Sequence, residues 1–182
     1  LDLIVAGLGL VILSIPLALI AISIRLSSPG PALHWSRRVG LHGAAFMMPK
    51  FRSMVVGSPQ VATDLLRNPE QFITPVGRWI RRLSLDELPQ LWSVLMGDMS
   101  LIGPRPALFN QEALIEARQR CGVDAVRPGI TGLAQVSGRD DLPDERKVAL
   151  DAAYARSVSW TSDARILALT VWRVLRSDGV RH

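Results

Sequence analysis

Residues 3–24 form an unbroken run without a charged side chain, bracketed by Asp2 and Arg25. As one helix the run would extend ~33 Å at ~1.5 Å per residue, enough to cross the hydrocarbon core of a bilayer. Pro16, near its middle, lacks a backbone donor and presses on the carbonyl of Ile12, so a kink is expected. Ser14 stands where its hydroxyl can bond a freed backbone group. The kinked run either spans the bilayer or enters and leaves on one face. Proline is common in spanning helices, so the pattern alone favours the span. A cleaved signal peptide fits poorly, because no basic flank precedes the run and Pro16 interrupts it. The chain opens at Leu1 rather than at a methionine, which leaves room for residues ahead of the run.

Downstream, Ser27-Ser28-Pro29-Gly30-Pro31 breaks the helix and links it to the rest. Residues 45–48 and 51–56 read as short strands flanking Lys50, and residues 57–75 as a loop carrying a short helix at 61–67. Helical spacing then dominates. Residues 76–83 interleave apolar positions with Arg78, Arg81 and Arg82 and predict a basic amphipathic helix. Leu88, Leu91, Trp92 and Leu95 define a second helix ending near Gly97, with further helices at 108–121, 147–158 and 165–175. Of the tryptophans, Trp92 is assigned to the core, while Trp79 and Trp172 are candidates for a membrane-facing belt. The expected architecture is α+β and mostly helical. It has a membrane helix over residues 1–26 and a compact domain over residues 27–182, whose amphipathic helices lie at the interface.

Composition sharpens this picture modestly. Of the 182 residues 48% are hydrophobic and 20% charged, which excludes a wholly disordered chain. Cys121 is the sole cysteine, no Cys/His cluster has zinc spacing, and His34, His42 and His182 are scattered as surface residues would be. The formal charge of +5 favours anionic partners. Lys50 and Lys147 are the only lysines beside 19 arginines; guanidinium forks suit phosphate oxygens, although arginine-favouring codon usage gives the same ratio. Arg25, Arg37, Arg38, Lys50 and Arg52 follow the apolar run and only Asp2 precedes it, so the positive-inside tendency puts the body on the cytoplasmic side.

The densest chemistry lies in Ser84-Leu85-Asp86-Glu87-Leu88-Pro89-Gln90-Leu91-Trp92. Proline is tolerated only in a first helical turn, so a helix must begin close to Asp86. Free backbone N–H groups then gather near two acids, which keeps a carboxylate ionised and attracts phosphate. Ser84 and Glu87 also have capping-box spacing, a purely structural alternative. Arg78, Arg81 and Arg82 just before the acids, and Gly103-Pro104-Arg105-Pro106 just after, tilt the balance toward chemistry. A carboxylate attacking phosphorus needs its repulsion screened by arginine and a divalent metal, and Mg²⁺ commonly uses one or two carboxylates plus substrate phosphates. Arg105 is framed by two prolines, and Arg127 leads a second rigid turn, Arg127-Pro128-Gly129-Ile130-Thr131-Gly132. The glycines of that turn allow close backbone approach to a ligand, or make a tight turn only. Lys50 and Arg52 either hold a lipid phosphate or face anionic headgroups.

Taken together these motifs resemble the monotopic phosphoglycosyl transferases, the bacterial undecaprenyl-phosphate glycose phosphotransferases that start surface-glycan synthesis. The likeness rests on KFRSM at 50–54, GRWIRRLSLDELPQLWSVLMGDMSLIGPRP at 77–106, RPGITGLAQVSGR at 127–139 and SPGP at 28–31, and covers nearly the whole chain. It implies a re-entrant helix at the cytoplasmic face of the bacterial inner membrane, reversing the preference for a span. It implies that Asp86 is the nucleophile that takes up a phosphosugar from a UDP-sugar and releases UMP, and that a polyprenol phosphate then accepts the phosphosugar. Glu87 matches the second acid, with Mg²⁺ held at Asp86 and Glu87. Arg81 and Arg105 match phosphate-binding positions, Lys50 and Arg52 fall in the matching basic motif, and Asp151 resembles a family acidic position. Ser36, Pro49 and Phe72 depart from residues common in the family, and Ile15 separates Ser14 from Pro16 where some relatives have the two adjacent.

The implied partners are the UDP-sugar, the polyprenol phosphate and inner-membrane lipid, without nucleic acid; a homo-oligomer is compatible with the pattern. The competing class is a membrane-tethered basic scaffold that binds anionic lipid or nucleic acid without catalysis.

Overall fold

The computed structural model describes residues 1–59, 61, 68–138 and 142–176. In chain order the helices are α1 (Asp2–Ile12), α2 (Ser14–Ser27), α3 (Pro75–Arg82), α4 (Leu91–Leu95), α5 (Glu112–Arg120), α6 (Leu133–Ser137), α7 (Asp144–Arg156) and α8 (Trp160–Arg176). The strands are β1 (Leu33–Val39), β2 (Ala45–Phe51), β3 (Ser100–Ile102), β4 (Ala107–Leu108) and β5 (Gly129–Thr131). The fold is thus α+β and mostly helical.

The apolar run is two helices, bent by 62° where α1 meets α2 at Leu13. Pro16 has no N–H to offer the carbonyls of the preceding turn, and the Ser14 hydroxyl donates to the Val11 carbonyl there at 2.8 Å. No single helix among the described residues is long and apolar enough to cross a membrane; the bent pair has the length and composition together. Each helix buries one face against the rest of the chain. Ala6, with Leu10 and Leu13, packs on Met48 of β2, Leu91 and Val94 of α4, and Met99. Ile24, with Leu17, Ile20 and Ala21, packs on Phe51 of β2 and Ile80 of α3. The opposite faces expose Leu3, Ile4, Leu8, Val11, Ile12, Ile15, Leu19 and Ile22.

β1 and β2 form an antiparallel hairpin, with His34 opposite Lys50 and Arg38 opposite Phe46, and β4 pairs with the other edge of β1. Sequence reading missed β1 and broke β2 around Pro49. The strand runs through Pro49 because β2 is an edge strand, where a residue without an N–H is tolerated. Beyond Phe51 the chain is not a strand, and Met54 makes only an isolated bridge to Ile73. The short helix expected at 61–67 lies outside the described residues save Val61. β3 and β5 pair in parallel, Ser100 beside Gly129 and Ile102 beside Thr131.

α3 starts where Thr74 Oγ1 accepts the Gly77 N–H at 2.9 Å and Pro75 occupies the first turn. The segment expected as one helix from Asp86 is a 3-10 turn (Leu85–Gln90) leading into α4. α5 starts later than expected because Ala107 and Leu108 are taken up by pairing with β1. Trp92 is not a core residue: it is 51% exposed, because Leu91 and Val94 carry the buried face of α4 and Trp92 sits about 100° around from Leu91. Trp35, Trp79, Trp160 and Trp172 are exposed as well.

Candidate active site

Alternate residues of a strand share a face, so His34, Ser36 and Arg38 of β1 stand together with Lys50 of β2. All four line an open cleft of about 1990 Å³. The 3-10 turn packs against β2 and carries Asp86 and Glu87 to the same cleft. Arg81, in the last turn of α3, and Arg105, on the turn between β3 and β4, also line it. Arg105 Nη2 donates to Glu87 Oε1 at 2.6 Å. Arg38 donates through Nε to Ser36 Oγ at 3.0 Å and through Nη1 to the Pro106 carbonyl at 3.1 Å. Ser36, one of the departures from the family pattern, thus steadies a cleft arginine.

These charges set one another's protonation. Burial, then the charge of Glu87, pushes the Asp86 carboxyl up to about 6, while Lys50, Arg81 and Arg105 pull the other way. Burial, with Arg38, brings the Lys50 ammonium down to about 8, and Asp86 opposes that drop. Arg38 falls to about 10, chiefly through burial and the charge of Arg105. The His34 imidazole, half-buried rather than on the surface, is lowered by burial and by Lys50 and Arg38. At neutral pH the result is an anionic Asp86 among cations in a half-buried site.

The capping alternative for Ser84 and Glu87 is not what the chain adopts. Ser84 sits in the left-handed region at φ 54° and makes no side-chain cap bond. Glu87 reaches Arg105 instead, leaving only its backbone N–H on the Ser84 carbonyl at 3.3 Å.

Two arginine turns meet behind the acids. Gly103 N–H donates to the Thr131 carbonyl at 2.8 Å and Gly129 N–H to the Pro104 carbonyl at 2.9 Å. A Cβ on Gly103 or Gly129 would overlap the other turn's backbone, so these glycines serve the approach of two chain segments to each other. Arg105 and Arg127 both line the cleft, and Arg127 is exposed.

The remaining expected residues make their hydrogen bonds elsewhere, although Arg52 also lines the cleft. Arg52 is buried, and its guanidinium donates to the Ser28 carbonyl at 2.9 Å, to Ser28 Oγ at 2.8 Å and to the Pro29 carbonyl. Ser14 and Pro16 mark the bend between α1 and α2. Asp151 is 1% exposed on α7, where Oδ2 accepts from Arg118 Nη2 at 2.6 Å. Burial raises the Asp151 carboxyl, against the pull of Arg118. Removing one partner of so buried a pair typically costs about 3–5 kcal/mol, whereas the exposed Lys147–Asp144 pair is worth about 0–1 kcal/mol. His34, Ser36, Arg38 and Arg118 were not picked out from the sequence as site residues. The polar alternation His34-x-Ser36-x-Arg38 was the signal for the first three.

Asp86 and Glu87 stand without a third ligating side chain, since no group of three His, Cys, Asp or Glu residues among the described residues is placed to hold a metal. That donor set fits a hard cation completed by substrate phosphates, and not a closed protein cage.

Comparison with known proteins places the chain in a family. The family model described as bacterial sugar transferase matches residues 1–177. The chain is 43% identical over 169 residues to an undecaprenyl-phosphate galactose phosphotransferase of Salmonella typhimurium, covering 82% of this chain and 34% of that protein. It is 40% identical over 182 residues to the UDP-glucose:undecaprenyl-phosphate glucose-1-phosphate transferase of Escherichia coli, covering 94% and 39%. It is 33% identical over 193 residues to the exopolysaccharide production protein ExoY of Rhizobium meliloti, covering 98% and 85%. The chain therefore spans little more than a third of the first two relatives' length and most of the third's. With its full sweep from α1 to α8 inside the family match, the chain belongs to the bacterial sugar transferases.

Proposed function

We propose that this chain moves a sugar-1-phosphate from a UDP-sugar to undecaprenyl phosphate or a related polyprenol phosphate, with Asp86 as nucleophile. The observation that carries the reading is Asp86 itself, a carboxylate in a cleft shared with Lys50, Arg38, Arg81 and Arg105. In the first step an Asp86 oxygen attacks the sugar-bearing phosphorus and the bond from that phosphorus to UMP breaks. In the second a lipid phosphate oxygen attacks the same phosphorus, the bond to Asp86 breaks, and the lipid diphosphosugar leaves with Asp86 regenerated. Lys50, Arg81 and Arg105 screen the approach of one anion to another, and Glu87 holds the Arg105 guanidinium. Asp86 and Glu87 are the residues to hold Mg²⁺, which supplies further charge neutralisation on the phosphates. Arg127 and Lys50 are assigned to substrate phosphates, whereas Arg52, just past the end of β2, anchors Ser28 and Pro29.

The names of the relatives support a UDP-sugar donor and an undecaprenyl-phosphate acceptor. The setting proposed is the cytoplasmic face of the bacterial inner membrane, with α1 and α2 as a re-entrant pair. Two contacts support re-entry: Ser100 Oγ donates to Asp2 at the start of α1, and Arg52 holds Ser28 at the end of α2. Both ends of the apolar run thus belong to one body.

The test withholds the lipid. Purified protein given a UDP-sugar labelled in the sugar should retain the label and release one UMP, and Asp86→Asn should lower both by at least ~10³-fold. Full turnover by Asp86→Asn would overturn the nucleophile assignment, and undiminished UMP release in a chelator would overturn the metal. Salt-sensitive binding of lipid or nucleic acid that ignores Asp86→Ala, with no UMP release, would instead establish the scaffold.

A further inference from the structure

Arg105 reaches Glu87 from a turn whose flanking Pro104 and Pro106 are buried, and what fixes that turn is a chain of bonds running back into the core. The Arg105 carbonyl accepts from Arg118 Nη1 at 2.7 Å, and Arg118 Nη2 donates to Asp151 Oδ2 at 2.6 Å. The next carbonyl, of Pro106, is held by Arg38. Pro104 and Pro106 fix their own φ, and the residue before a proline is confined to extended backbone. With its carbonyl also held, Arg105 has little backbone freedom left.

The orientation of Arg118 is informative. An arginine meeting a carboxylate for stability alone favours the two-bond fork, with both carboxylate oxygens used. Here Arg118 Nε and Asp151 Oδ1 are both buried without a hydrogen-bond partner among the described residues. The fork is turned away from that arrangement so that one arm reaches the Arg105 carbonyl. Buried polar atoms left unmatched are costly, so a contact made at such expense points to the turn it serves.

Resting on the proposed reading of the cleft, we propose that Asp151 and Arg118 are positioning residues: Asp151 orients Arg118, and Arg118 holds the backbone from which Arg105 meets Glu87 and the substrate diphosphate. Neither touches the reacting atoms. Arg118→Lys keeps the charge but has no planar fork to bridge carboxylate and carbonyl, so it should fail where a charge-only role would survive.

A double-mutant cycle on UMP release, with kcat and KM measured separately, tests this. Asp151→Asn should lower kcat about tenfold or more in the wild-type background. In the Arg105→Ala background, where no side chain remains to be aimed, it should cost less than about twofold. Equal losses in the two backgrounds, or a full-rate Asp151→Asn enzyme, would overturn the proposal. Arg118→Lys gives the same cycle where Asp151→Asn does not fold: loss confined to the background with Arg105 supports it, and unchanged kcat overturns it. Asp86→Asn run alongside reports on the nucleophile alone, so failure of that assignment is told apart from failure of the positioning.

Discussion

Asp86 and Lys50 act on each other's charge in one cleft, and their protonation sets the pH range expected for the proposed reaction. As the proposed nucleophile Asp86 must be anionic, and it ionises near pH 6, so the rate should fall as pH drops through that value. In the proposed reaction Lys50 screens the donor phosphates only while charged, and it loses its proton near pH 8, so the rate should fall again above that. A bell-shaped kcat/KM profile is expected, its two limbs belonging to the interacting pair. Lys50→Arg keeps a cation beyond pH 10 and should carry the alkaline limb upward while the acid limb stays below 7. A flat profile from pH 5 to 9, or an alkaline limb unmoved in Lys50→Arg, would contradict this. Asp86 and Glu87 stood out in the sequence as an acid pair between arginine-rich motifs, whereas Lys50, Arg81 and Arg105 were marked chiefly by the resemblance to the family. Arg38 was not legible, because its place in the cleft depends on a strand whose partner closes 68 residues away at Pro106.

At the level of elements, helices were read well where an apolar stripe recurs, and strands poorly where they are short. β3, β4 and β5 have two or three residues each, too few to display alternation, and are defined by partners remote in sequence. The linker between α2 and β1 shows the same dependence. Gly30 adopts φ +114°, and a side chain there would collide with the Arg52 guanidinium. Arg52, expected from the sequence to serve phosphate, spends its donors on Ser28 and Pro29, tying α2 to the strand that carries Lys50. Arg52→Ala should therefore lower the thermal midpoint in detergent by more than ~5 °C, since bonds to a charged donor contribute about 1.5–3 kcal/mol each. Lys50→Ala, nearby, removes a buried charge and should leave the midpoint level or raised. An Arg52→Ala protein with an unchanged midpoint and lost activity would return Arg52 to the phosphate ligands.

For the whole molecule, the question is whether the apolar pair crosses a bilayer or folds back. Length does not decide it, since legs of 11 and 14 residues bent by 62° still reach ~30 Å end to end. Packing does discriminate. A crossing would draw α1 away from Met48, Leu91, Val94 and Met99, returning to lipid or water side chains that are now almost wholly buried, and would break the bond between Asp2 and Ser100. Each body side chain left facing water would cost about 1.5–3 kcal/mol, which supports the proposed re-entrant pair. The exposed flanks of α1 and α2, with Trp79, Trp92, Trp160 and Trp172, would then meet the lipid. In a Cys121→Ser background, Asp2→Cys with Ser100→Cys should be joined by a short dithiol cross-linker in intact cells' membranes before any detergent is added. An impermeant thiol reagent applied from the periplasm should leave Cys at position 2 unlabelled. A crossing helix would set the two positions on opposite faces, about 30 Å apart, giving periplasmic labelling and no cross-link.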